Sequence, residues 1–408
     1  MKILRVIASM DPKSGGPCQG IRNTASALAR LNVQNEVVCV DSPDSEYLGS
    51  DTFPIYALGP ATNPWGYASK LLPWLIENIS QFDAVIVHGL WLYPSYATKK
   101  AMRELAELEN SKPIPWFIMP HGMLDPYFQN APDRKMKALR NSVYWKVIES
   151  KVVQAANALL FTCQEELLLA RQPFTPYKPK NEINVGYGIQ PPPAYTAEMS
   201  KAFHEKCKLE SNQKYLLFLS RIHPKKGVDN LILAYKDILE NSGNSLNNMP
   251  SLVIAGPGME SDFGKEMLAI IEKSDLLKKK VFFPGMLGGN AKWGAFYGCE
   301  AFILPSHQEN FGIAVAEALA CKRPVLISNK INIWREIKES GGGIVRDDNQ
   351  KGTRELLSDW IKLTQAEKDV FDDKAFLTFQ AHFRIEKNIK TLVKALWPNF
   401  VIENMKAH

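Results

Sequence analysis

Two carboxylates eight residues apart carry the strongest chemical signal in this sequence. They are Glu309 and Glu317, in the segment PSHQENFGIAVAEALA that runs from Pro305 to Ala320. A short apolar run, Glu300 to Leu304, precedes the segment and reads as a strand, and a helical pattern opens at Asn310 to Gly312. The N–H groups at a helix start attract a phosphate or diphosphate. Glu309, in the loop before that helix, can accept hydrogen bonds from sugar hydroxyls. Glu317, two turns in, can take both hydroxyls of a ribose. Taken alone, the spacing also fits two exposed helix charges.

A second cluster is cationic. In the segment SRIHPKKG, Ser220 to Gly227, Arg221 and Lys226 lie across a turn between a strand-like run and a helix. Two cations there suit a diphosphate and would neutralise it as a leaving group; Lys225 is the alternative phosphate ligand by position. In the first half, Ser14-Gly15-Gly16-Pro17 follows the first strand. Glycine lets a backbone approach a ligand closely, and the helix after it offers N–H donors. The pattern is not G-x-G-x-x-G, so the dinucleotide fingerprint is missing. His121 ends the strand before Gly122, where it could hydrogen-bond a transferring sugar. His88 ends the strand DAVIVH and lines the same edge, within reach of an acceptor. Asp125 either holds its loop or binds acceptor hydroxyls.

These segments resemble the family 4 glycosyltransferases of GT-B fold. Pro305 to Ala320 follows that family's donor-binding pattern without departure: Pro-Ser, a Glu, an aromatic-Gly step, and a helix ending Glu-Ala-Leu-Ala. Ser220 to Gly227 matches its S-R-x-x-x-x-K-G segment. The resemblance implies configuration-retaining transfer of a hexose-type sugar from a UDP- or GDP-linked donor to a glycan or lipid-linked saccharide. The setting it implies is exopolysaccharide or cell-surface glycan synthesis. It implies no enzymic nucleophile, the leaving phosphate helping to remove the acceptor proton. The catalytic residues implied are His121, Glu309, Arg221 and Lys226. Donor contacts would come from Gly15, Gly16, Arg221, Lys226, Glu309, Asn310, Phe311, Gly312, Ile313 and Glu317. Gly256, in the turn Ala255-Gly256-Pro257-Gly258, would border the nucleotide, and the base would be read near Met286. His88 and Asp125 fall to the acceptor. Two other readings stand beside this one: a nucleotide-sugar epimerase of the same fold, and a non-enzymatic sugar-binding module. The latter would not need two cations facing an anion.

The elements that must position these residues alternate. Apolar β-branched runs at 2–8, 36–41, 83–88, 115–120 and 158–162 are separated by helical patterns, and a second series runs through 214–220, 251–255, 280–284, 300–304, 324–328 and 343–345. Strand–helix–strand at this spacing predicts parallel sheets covered on both faces. The expected fold class is α/β, with two Rossmann-like doubly wound domains facing across a cleft. The first spans 1–190 and binds acceptor, and the second spans 195–384 and binds the nucleotide sugar. Pro, Gly and polar residues between 172 and 192 mark the linker. The tail reads as one helix over 373–396, and the part from about 385 to 408 is expected to pack back on the first domain. Ligands of such sheets sit beyond the carboxyl ends of the strands, which is where the chemical segments fall.

A length of 408 residues fits two domains. A net charge of +6 is too mild for a nucleic-acid binder and suits phosphorylated small molecules or an anionic membrane. The six cysteines are scattered, which suggests neither a zinc site nor a disulfide framework and fits a reduced, cytoplasmic setting. The start MKILRVIASM reads as a strand, its apolar run broken by Arg5, and not as a signal peptide. The segment from Asp133 to Val153 carries Arg134, Lys135, Lys137, Arg140, Lys146 and Lys151 around Tyr144 and Trp145. It fits a helix resting on the inner face of a membrane, as a lipid-linked acceptor would suit, and equally a packed surface helix. No Asp-x-Asp follows a strand where a metal-using transferase needs one, so neither metal nor other cofactor is expected. Asp347-Asp348 and Asp372-Asp373 read as surface acids.

Overall fold

The computed structural model describes residues 1–108, 113–131, 134–210, 212–241 and 249–401, with Ser14 by its backbone alone. Asp133 and the tail beyond 401 lie outside the described residues. The chain divides into two compact units, Met1–Gly188 together with the chain from Ile385 onward, and Ile189–Arg384.

The first unit is built on a parallel sheet of β1 (Lys2–Ile7), β2 (Gln34–Cys39), β3 (Ile55–Ala57), β4 (Ala84–His88), β5 (Trp116–Met119), β6 (Ala158–Phe161) and β7 (Glu182–Asn184). Its order is β3-β2-β1-β4-β5-β6-β7. A parallel sheet is covered on both faces, so its central strands must be apolar on both. The side chains of β1 and β4 divide accordingly. Leu4, Val6, Val85 and Val87 join one buried cluster, and Ile3, Ala84 and Ile86 join the other. Arg5 shares the parity of Ile3 and is buried as well. The second face is covered by the helices Gly16–Arg30 and Ile385–Leu396. The latter buries Ile385, Ile389, Leu392, Val393 and Leu396, one stripe at helical spacing, each contributing about 1.5–3 kcal/mol relative to exposure.

The second unit repeats the plan with β8 (Tyr215–Leu219), β9 (Ser251–Ala255), β10 (Val281–Gly285), β11 (Ala301–Leu304), β12 (Val325–Ser328) and β13 (Gly343–Arg346), in the order β10-β9-β8-β11-β12-β13.

Three features differ from the sequence reading. β3 and β7 are three-residue edge strands with no fully buried residue, too short and too exposed to stand out as apolar runs. β7 lies inside the presumed linker, and the chain leaves the first unit only at Gly188. The tail is two helices, because Arg384 adopts an extended conformation between the π-helical turn Phe379–Phe383 and Ile385–Leu396. Helical periodicity continues across that break, which hides it. Helix Ile385–Leu396 also ends short of the expected 408. Among the described residues, no helix is long and apolar enough to cross a membrane. All six cysteines are buried and outside any disulfide.

Candidate active site

In the second unit the strand order reverses between β8 and β11, and an open parallel sheet takes its ligand beyond the carboxyl ends of such a strand pair. The loop after β8 holds Arg221 and Lys226, and the loop after β11 holds Glu309 to Gly312. The Lys225 carbonyl oxygen joins the two loops, accepting the His307 N–H at 2.9 Å and the Ser306 hydroxyl at 3.0 Å. Gly227, at φ +68°, lies where any Cβ would overlap the Pro305 carbonyl oxygen. Gly256 performs the same service on the other side. At φ +143° it faces the Ser220 carbonyl oxygen so closely that a side chain there would collide with it. The glycine signal at 256 therefore has a cause within the chain itself.

The cation and the first carboxylate are brought together, with Lys226 Nζ donating to Glu309 Oε2. Lys226 is buried, while the Glu309 side chain keeps about a quarter of its surface (26%) exposed. Arg221 is exposed and forms no hydrogen bond or ion pair among the described residues. Gly312, at φ +77°, starts the helix Ile313–Ala320 with no side-chain cap. Asn310 accepts the Asn332 amide at 3.4 Å, and the buried Phe311 packs edge-on against Phe383 at 5.7 Å. Met286, after the edge strand β10, is largely exposed.

Glu317 has a partner that the sequence reading missed. Lys292 Nζ, from helix Gly289–Gly298, lies 2.5 Å from its Oε1. Burial raises the Glu317 carboxyl above its ordinary range, and Lys292 opposes that rise. His307 was also missed; its Nδ1 lies 3.0 Å from the Asp348 carboxylate. That hydrogen bond raises the imidazole and lowers Asp348 from their ordinary values.

In the first unit the order reverses between β1 and β4. Gly15, at φ +92°, caps the helix Gly16–Arg30, and a Cβ at either Gly15 or Gly16 would meet no atom within 4 Å. The strand ends place His88 against His121, with Nδ1 of the first 2.8 Å from Nε2 of the second. Behind them, the Arg5 guanidinium reaches His88 Nε2 at 3.3 Å through Nη1, and donates from Nε to Asn35 Oδ1 at 3.0 Å. Burial lowers Arg5 to about 10, which leaves it charged at neutral pH. Burial, with Arg5 beside it, pushes His121 down to about 3, and burial likewise holds His88 well below the histidine range. Both rings are therefore neutral at neutral pH.

His121 has φ +53°, in the left-handed region that a side chain enters at a cost of about 1–2 kcal/mol. Glu166 secures the turn. Its Oε1 accepts the Gly122 N–H at 2.6 Å, and its Oε2 accepts the Thr162 N–H at 2.8 Å and hydroxyl at 2.5 Å. Asp125 is buried and accepts the Tyr127 N–H at 2.9 Å, a contact within its own loop. Among the described residues, no three His, Cys, Asp or Glu side chains gather as a metal site would require.

Two family models match the chain in succession. Residues 15–180 match the glycosyl transferase 4-like domain, and residues 199–370 match glycosyl transferases group 1. An uncharacterized glycosyltransferase of Methanocaldococcus jannaschii is 28% identical over 91% of this chain and 94% of its own. A processive diacylglycerol alpha-glucosyltransferase of Acholeplasma laidlawii is 28% identical over 33% of this chain and 36% of its own. Among solved structures, the Anabaena protein HepE in complex with UDP superimposes with a TM-score of 0.73 at 16% identity, covering 97% of this chain and 99% of that one. HepE has also been solved in complex with UDP-glucose. With its two Rossmann-like halves, the chain is a glycosyltransferase of GT-B fold.

Proposed function

We propose that this enzyme is a retaining glycosyltransferase of family 4 type that moves a hexose-type sugar from a UDP- or GDP-linked donor to a glycan or lipid-linked saccharide. The setting we propose is exopolysaccharide or cell-surface glycan assembly. The second unit would hold the donor and the first the acceptor. One observation carries the reading: at the strand reversal of the second unit a buried ammonium, Lys226, meets the first of the two spaced carboxylates, with the exposed guanidinium of Arg221 on the same loop. Two cations there supply the charge that a departing diphosphate needs, a role a divalent metal plays elsewhere. UDP-glucose in the Anabaena neighbour supports a uridine donor.

The test is thermal stabilisation of the purified chain by UDP, GDP, ADP or NADH in the presence of a chelator. One nucleoside diphosphate is expected to raise the melting temperature, by the amount that about 2.7 kcal/mol gives at a hundredfold excess over Kd. Stabilisation by NADH alone, or only after metal is restored, contradicts the reading.

A membrane-bound acceptor is part of the same proposal. On the helical stretch after Arg134, Met136, Leu139, Val143 and Val147 are each more than half exposed, at spacings of three and four residues. Lys135, Lys137, Arg140 and Lys146 flank this stripe, while Trp145 and Glu149 face inward and are buried. An apolar stripe edged by cations suits an anionic bilayer surface. Vesicles rich in anionic lipid are expected to carry the chain in flotation, neutral vesicles to carry much less, and Leu139→Ser with Val143→Ser to abolish the difference. Equal flotation with both vesicle types counts against it.

A further inference from the structure

Arg5 has the marks of a residue kept for a purpose. It sits on an otherwise apolar strand face, is 1% exposed, and has no carboxylate partner among the described residues. Its Nη2 is buried without a hydrogen bond. A buried cation without a counter-charge is costly.

The partners of the two histidines assign their ring protons. A guanidinium has N–H donors and no acceptor, so Arg5 Nη1, 3.3 Å away, requires a lone pair at His88 Nε2. A neutral imidazole carries one N–H, which leaves the proton of His88 on Nδ1. That N–H points at His121 Nε2, 2.8 Å away, which must accept it. His121, neutral as well, then has its proton on Nδ1, the ring nitrogen with no partner among the described residues. The reverse order would set His88 Nε2–H against the guanidinium N–H, donor facing donor inside a buried pocket.

We propose that Arg5 is a positioning residue: acting through His88, it holds His121 in the Nδ1–H tautomer, so that His121 meets its substrate as a hydrogen-bond donor and accepts no proton there. The proposal rests on the reading of His121 as a residue that touches the sugar or the acceptor. It removes His121 Nδ1 from the candidates for general base. That fits the step the resemblance implies, in which the acceptor's proton leaves for an oxygen of the departing diphosphate as the acceptor oxygen bonds the anomeric carbon and the sugar–phosphate bond breaks. Glu166 supports the arrangement from the other side by fixing the Gly122 N–H, and with it the left-handed turn that aims the ring.

The experiment uses the full chain labelled with 15N-histidine and long-range proton–nitrogen correlation spectra, which report which ring nitrogen carries hydrogen. Loss of signals in His121→Gln assigns that ring. The titratable groups that share its cavity are Arg5 from β1, His88 from β4 and Tyr187 from the turn after β7, and Glu166, from the helix Gln164–Ala170, holds the neighbouring Gly122 N–H. The expected spectrum is a protonated-type Nδ1 and a lone-pair-type Nε2. It should be unchanged at about pH 5.5, where an unperturbed histidine is mostly protonated. Arg5→Met should lose the single-tautomer pattern, and Arg5→Lys, which keeps a donor, should retain it. An Nε2–H tautomer, an imidazolium at neutral pH, or an unchanged pattern in a folded Arg5→Met overturns the proposal. The spectra need no sugar nucleotide. A chain that gives the expected pattern but transfers no sugar overturns the functional reading and leaves the tautomer assignment standing.

Discussion

Lys226→Met is expected to lower kcat/KM for sugar transfer by about 10²–10³-fold, the loss seen when one preorganised donor to developing charge is removed. Methionine keeps the buried stem, so packing is largely preserved. The substitution strands Glu309, whose carboxylate retains a quarter of its surface (26%) and can be hydrated, so the cost to folding is set by a half-buried pair and not by a sealed one. A melting temperature within a few degrees of the wild type is therefore expected beside the large kinetic loss. The ion pair also sets a sign. Glu309 pairs with the ammonium that a diphosphate would claim. Glu309→Gln removes that competitor, and should leave UDP or GDP affinity unchanged or modestly tighter, while transfer falls for want of the carboxylate that meets the sugar. If Lys226→Met and Glu309→Gln together restore transfer, the loss in the single variant came from a stranded carboxylate, and the phosphate role of Lys226 fails.

What could be read from the sequence was what is local along the chain. The central strands declare themselves because a parallel sheet buries both faces, which gives runs such as Tyr215–Leu219 and Ala301–Leu304 with little polar interruption. The proposed donor segment is legible because strand, loop and helix follow one another without a gap from Ala301 to Ala320. The residues that tune the candidate site come from elsewhere in the chain. Lys292 reaches Glu317 across 25 residues, Asp348 reaches His307 across 41, and Arg5 reaches His88 across 83. No window along the sequence contains such pairs. Arg5 did leave a trace. It interrupts the first apolar run at a position whose parity points inward, and a charge at such a position asks for a partner. Glu166 left one too, as an acid at the third helical position after the strand-ending Thr162-Cys163. The glycine at 256 shows the opposite hazard: its place beside a presumed nucleotide suggests ligand approach, while its geometry is already demanded by the Ser220 carbonyl.

Glu317→Ala is expected to weaken nucleoside diphosphate binding by about tenfold or more, the scale of one or two hydrogen bonds to a charged group, and to do so for the free nucleotide as much as for the sugar conjugate. That profile separates it from Glu309, whose loss should appear in transfer and not in nucleotide affinity; equal and small effects from both would contradict the two roles. Lys292 makes the sharper experiment because it controls the charge on Glu317 without being asked to touch the ligand. Burial alone pushes the Glu317 carboxyl upward, and the ammonium at 2.5 Å holds that rise in check. In Lys292→Met the carboxyl moves further up, so at a given pH within its titration more of it is protonated and binding weakens. Raising the pH ionises it again. The rise of nucleotide affinity with pH should therefore lie at higher pH in Lys292→Met than in the wild type. If Lys292 instead contacts the nucleotide directly, the variant loses affinity by the same factor at every pH, because no titration of Glu317 can restore a missing ammonium.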